Sequence, residues 1–228
     1  MPAAFSAIIS RVIGYPLAPI SPRAAARRAL PRTLPAGAAG VALTFDDGPH
    51  PVGTPAVLEI LARAGARATF FLIGEQVERR PAVAASIAAA GHEVALHGYH
   101  HRLQLRLSAA AVAEDLRAGA ASIEDATGHT PRWHRPPFGI YSAAGLAAAR
   151  EQGLRPLLWS RWGKDWRKFT TPDRIAARVT HELGAGDVIL LHDADFYSSK
   201  RSYERTVAAL PAVIASLHAR ELATVLPV

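Results

Sequence analysis

From Gly40 to the end of the chain, short apolar runs alternate with longer stretches of helical periodicity, and most of the runs end in ionisable residues. Val41–Phe45, Ala68–Ile73, Glu93–Leu96, Arg155–Trp159, Asp187–Leu191 and Ala223–Leu226 read as strands. Apolar runs this short suit strands covered on both faces. Helix start and stop signals lie between them. Thr54-Pro55 and Thr171-Pro172 are cap-plus-proline starts, Ser108 is an N-cap, and Gly65, Gly91, Gly128 and Gly153 are stops. The predicted helices run from Thr54 to Gly65, over Pro81–Ala90, from Ser108 to Thr127, over Ser142–Gln152, from Thr171 to near Gly184, and over Tyr203–Ala219. Strands that alternate with helices pair in parallel, because each return needs a crossover. About seven strands exceed a minimal βαβ unit and predict a barrel or a doubly wound sheet.

The 228 residues are 50% hydrophobic, enough for a full core and too apolar for a disordered chain. The absence of cysteine excludes a disulfide scaffold, a thiol nucleophile and Cys-ligated zinc, but not a metal held by His and Asp. The net charge of +7 is concentrated at the N-terminus, where Arg11, Arg23, Arg27, Arg28 and Arg32 meet no acid before residue 41. Residues 1–38 therefore read as a Pro/Ala/Arg-rich lead-in and residues 39–228 as one catalytic domain. The basic segment predicts weak contact with a membrane surface. Nucleic acid is not an expected partner, since basic and aromatic residues are not interleaved. The first cation, Arg11, follows the apolar stretch Ala3–Ile9 instead of preceding it, so no clear signal peptide is read. No run reaches the ~18 apolar residues that span a bilayer. A cytoplasmic or cell-envelope-associated monomer is expected.

Chemistry collects where the strands end. Asp46-Asp47-Gly48-Pro49, His97-Gly98-Tyr99-His100-His101, Arg135-Pro136-Pro137-Phe138-Gly139, Asp165-Trp166 and His192-Asp193 each follow or close an apolar segment. In a parallel barrel these ends share one rim, where active sites form. Adjacent Asp46 and Asp47 point different ways and can do different jobs. His97 and His101, four apart, would face one way on a helical turn and could join a carboxylate around a metal; His97 and His100, three apart, are a rival pair. Two prolines stiffen the backbone after Arg135. His50, His129, His181 and His218 read as surface histidines. Trp159, Trp162 and Trp166 surround one loop, as sugar-stacking groups or as core.

These motifs, in this order over residues 41–193, resemble those of the polysaccharide deacetylases, carbohydrate esterase family 4, also called the NodB homology domain. The resemblance covers roughly residues 40–228. It implies an α/β fold, a distorted (β/α)7 barrel. It implies one divalent metal ion, zinc first and cobalt or manganese as alternatives, held by Asp47, His97 and His101. Asp46 would be the general base and His192 the general acid, with Arg135 holding Asp46 and Asp165 orienting His192. Phe138 would bind substrate through its backbone amide, and Trp166 and Leu190 would line the acetyl pocket. The implied reaction removes N-acetyl groups from peptidoglycan-like or chitin-like glycans. Hydrolysis of a small non-sugar amide, carbohydrate binding without catalysis, and glycoside hydrolysis are the competing readings. Two positions depart from the family pattern. Gly98 replaces a Ser or Thr whose hydroxyl shapes the histidine loop, which predicts weaker metal binding, and Phe138 stands where Tyr is frequent. Neither removes a ligand or a catalytic group, so an active enzyme is expected.

Overall fold

The computed structural model describes residues 30–228. The lead-in before residue 30, with its proposed membrane contact, lies outside the described residues. Among them, seven parallel strands follow one path. β1 (Gly40–Asp46), β2 (Thr69–Leu72), β3 (Glu93–Leu96), β4 (Trp133–His134) and β5 (Arg155–Pro156) run out from the centre on one side; β7 (Val188–His192) and β6 (Arg161–Trp162) continue on the other. A short β8 (Ala223–Thr224) pairs with the start of β1. β5 and β6 are not paired with each other, so the barrel stays open there. This is the distorted α/β barrel the motifs imply.

The helices that return the chain are α1 (Gly53–Arg63), α2 (Gly74–Arg79), α3 (Pro81–Ala89), α4 (Ala109–Thr127), α5 (Ala143–Glu151), α6 (Pro172–Thr180) and α7 (Ser202–Ala219). Ser108, Ser142 and Thr171 accept backbone N–H groups as N-caps of α4, α5 and α6, each typically worth ~1 kcal/mol. Gly128 closes α4 in the left-handed region. Thr54 does not cap α1. It sits in the first turn, accepts from the His50 amide and donates to Asp193. The N-cap position is Val52, and His50 Nδ1 accepts from the Val52 and Gly53 amides just ahead of the first turn. His50 is therefore a buried structural residue and not a surface histidine. β1 is buried throughout, and Phe45 stacks on Phe70 of β2 with ring centroids 5.1 Å apart.

The predicted strand Arg155–Trp159 pairs only over its first two residues. The carbonyls of Leu157 and Leu158 instead accept from the buried Arg135 guanidinium, and the Leu158 amide donates to Pro31. The described end of the lead-in packs on this edge: Leu30 and Leu34 are buried, and Thr33 bridges Asp187.

Candidate active site

Parallel pairing places functional side chains side by side at the C-terminal ends of the strands. β1 and β7 are in register so that Asp46 lies opposite His192, and Leu96 of β3 lies opposite His134 of β4, so His97 and Arg135 leave the sheet together. A pocket of about 290 Å³ opens at this rim and is lined by Asp46, Asp47, His97, His101, Phe138, Trp166, Leu190 and His192.

Arg135 is 0% exposed, and each of its three side-chain nitrogens donates a hydrogen bond. Nη1 donates to Asp46 Oδ1 at 2.6 Å and to Thr44 Oγ1 at 2.8 Å; Nε and Nη2 donate to the Leu157 and Leu158 carbonyls, each at 2.9 Å. The guanidinium also lies 4.0 Å from the Phe71 ring centroid. A buried cation this well satisfied holds Asp46 in one orientation.

Asp47 turns away from Asp46, with φ at 78°, a left-handed conformation that Asp tolerates better than most residues. Its Oδ1 is buried and has no hydrogen-bond partner, yet His97 Nε2 and His101 Nε2 each lie 3.4 Å from it. One ligand atom from each of these three residues falls within 4.8 Å of the others, the one such group among the described residues. His97 Nδ1 lies 2.7 Å from the Arg135 carbonyl, which can only accept, so Nδ1 carries the proton and the Nε2 lone pair faces Asp47. Burial would raise the Asp47 carboxyl, but His97, His192 and His101 hold it at about 2. Burial pushes His101 down to about 4, keeping it neutral. An orphaned carboxylate oxygen facing two imidazole Nε2 atoms is a donor set that fits a divalent cation.

No helical turn brings the two histidines together. Residues 97–101 form an irregular loop, because Gly98 adopts φ +105°. Asp115 of α4 clamps this loop from behind, accepting from the Tyr99 amide at 3.0 Å and the His100 amide at 3.1 Å. A Cβ on Gly98 would sit 3.0 Å from that carboxylate, so here the clamp stands where the family's hydroxyl residue would be crowded. His100 faces outward toward Glu75, 3.7 Å away.

His192 Nδ1 lies 2.8 Å from Asp165 Oδ1, and the His192 amide and Thr206 hydroxyl donate to the other carboxylate oxygen. Burial alone would lower the imidazolium, but Asp165, followed by Asp47 and Asp46, raises it to about 10. Trp159, Trp162, Tyr197 and Ser198 also line the pocket. Tyr197 carried no sequence signal beyond following a strand end. It stacks on His101 with centroids 4.3 Å apart and planes 9° apart, and its hydroxyl is anchored by Gln76 and Glu75.

Comparison with known proteins agrees with this geometry. A family model described as polysaccharide deacetylase matches residues 34–157. The peptidoglycan-N-acetylglucosamine deacetylase of Bacillus cereus is 36% identical, over 78% of this chain and 81% of its own length. A chitooligosaccharide deacetylase from a Bradyrhizobium species is also 36% identical, over 81% of this chain and 87% of its own. Among solved structures, a family 4 carbohydrate esterase from Streptomyces lividans, in complex with acetate, superposes with a TM-score of 0.74 at 31% identity, covering 83% of this chain and 94% of the other.

Proposed function

The chain belongs to the polysaccharide deacetylase family, and from that premise we propose that it hydrolyses N-acetyl groups from amino-sugar polymers or oligomers of the peptidoglycan or chitin kind. The observation that carries the reading is the convergence of a base, an acid and a metal-fitting triad on one pocket. We assign Asp47, His97 and His101 as ligands of a divalent metal, with zinc the best match to two imidazoles and a carboxylate, and cobalt or manganese as alternatives. When bound, such an ion acidifies water and polarises a carbonyl.

The remaining work falls to the chain's own groups. Asp46, oriented by Arg135, takes the proton of the attacking water. The Phe138 backbone amide donates to the developing oxyanion; one such donor is typically worth ~3–4 kcal/mol. Leu190 and Trp166 hold the acetyl methyl group in an apolar recess. His192, held as imidazolium through neutral pH, gives its proton to the departing amine nitrogen. The three tryptophans around the mouth favour a sugar, whose C–H faces stack on indole, over a small non-sugar amide.

Purified protein is expected to release acetate from N-acetylglucosamine oligomers or peptidoglycan when supplied with zinc, cobalt or manganese, and to stop when a chelator is added. Metal-loaded protein that releases none would sink the proposal.

Asp165→Asn removes the charge that lifts His192 against burial, so the alkaline limb of the kcat/KM–pH profile should move to lower pH. Turnover at pH 8 should drop about 100-fold, the lower end of what one general acid contributes. An alkaline limb that stays in place would show that Asp165 does not set the His192 proton.

A further inference from the structure

Phe169 is 82% exposed, more than any other large hydrophobic side chain among the described residues. It ends a run of four exposed residues, Trp166, Arg167, Lys168 and Phe169, in the segment that follows β6. Trp166 lines the pocket, so the run starts at the active-site rim and leads away from it. The rings are not left out for want of anchorage. Arg205 Nη2 donates to the Arg167 carbonyl at 3.1 Å, the Ser199 amide donates to the Trp166 carbonyl at 3.2 Å, and Arg178 Nη1 donates to Thr170 Oγ1 at 2.9 Å. Thr170 is buried, so Phe169 stands out from a fixed base. Each ring has a cation beside it. Arg167 lies 5.4 Å from the Trp166 ring centroid, Lys168 lies 5.5 Å from that of Phe169, and Lys164 lies 5.6 Å from that of Trp162. Asp165 is the one acid between residues 161 and 172, and it is 0% exposed and bonded to His192. The exposed part of the segment is therefore cationic and aromatic only; the next acid, Asp173, belongs to the first turn of α6. Val52 and Phe138, also exposed, each sit between a proline and a glycine in the sequence and belong to no basic run.

We infer that this segment docks the protein on an anionic membrane surface, with Phe169 in the boundary between headgroups and acyl chains and with Lys164, Arg167 and Lys168 at the level of the lipid phosphates. The physical case is complementarity in both charge and polarity. An aromatic ring gains by leaving water at the interface, and the cations beside it meet the negative surface at the same depth. A soluble anionic polymer would use the cations but leave Phe169 in water. The net charge of +7 draws the whole chain toward the same surface before contact. Because Trp166 joins the segment to the pocket, docking brings the active-site mouth up to the membrane. The assignment stands independently of the deacetylase reading.

The test is co-sedimentation of the full chain with sucrose-loaded vesicles, made either of phosphatidylcholine alone or of equal parts phosphatidylcholine and phosphatidylglycerol. The wild-type protein should bind the mixed vesicles, bind the neutral ones far less, and lose affinity as salt rises. The pair Arg167→Gln/Lys168→Gln should weaken binding to the mixed vesicles about 10- to 30-fold, at roughly fivefold for each cation near the surface. Phe169→Ser should weaken it about tenfold through lost apolar burial. All three side chains are exposed, so both variants should keep the wild-type melting temperature. The basic lead-in is present in every protein, so any difference in binding belongs to this segment. Wild-type protein that ignores the mixed vesicles, equal binding to neutral vesicles, or either variant binding as the wild type does overturns the assignment. A weakened Gln pair beside an unaffected Phe169→Ser would identify a charge-only contact, the mark of a soluble anionic polymer.

Discussion

Asp46→Asn is expected to lower turnover by about 10³-fold or more while the protein still binds its metal, an effect at the upper range of general-base catalysis. The amide fills the space of the carboxylate and can still accept from Arg135, but it cannot take a proton from water. Asp46 lies outside the Asp47–His97–His101 group, and its Oδ2 is 3.9 Å from His97 Nε2, so ligation does not depend on it. The variant should be less stable, because removing one partner of a buried ion pair is commonly worth ~3–5 kcal/mol. Arg135 retains its contacts to Thr44, Leu157 and Leu158, which limits the loss. Metal content, melting temperature and acetate release measured on one preparation separate the effects. Metal content falling as far as in Asp47→Ala would show that Asp46 is a ligand and not a base.

The second large effect separates two adjacent histidines. His101→Ala should weaken metal affinity by more than about 100-fold, since even outer-shell changes are worth 10–100-fold, and acetate release should fall with it. His100→Ala should change affinity by less than about threefold. Its ring faces Glu75, and its backbone amide, which alanine keeps, makes the bond to Asp115. Metal titration of the two variants checks both statements; the reverse pattern would transfer the ligand role to His100.

Much of the site was legible because parallel β/α chains place strand ends on one rim. The positions of Asp46, Asp47, His97, Arg135, Asp165 and His192 in the sequence were enough to gather them. The reasons for some contacts were not legible. The spacing of His97 and His101 suggested a helical turn, whereas the contact is made by a loop bent at Gly98 and clamped by Asp115. The strand expected to reach Trp159 stops at Pro156, because the next carbonyls serve Arg135. His50 read as a surface residue, but it is buried and accepts from the Val52 and Gly53 amides at the start of α1.

Hydrophobic periodicity and capping residues were enough to place most of the strands and helices and to show which ionisable groups stand at strand ends; the two-residue strands β4 and β6 and the six-residue helix α2 carry no such pattern. These are local properties, carried by a few neighbouring residues. Long-range packing set the rest: Arg135 reaches back 89 positions to Asp46, Asp46 and His192 lie in register, His101 rather than His100 faces Asp47, and Tyr197 backs His101. Those choices depend on sheet register, on two backbone turns at positive φ, and on where buried donors find acceptors, none of which a local pattern specifies.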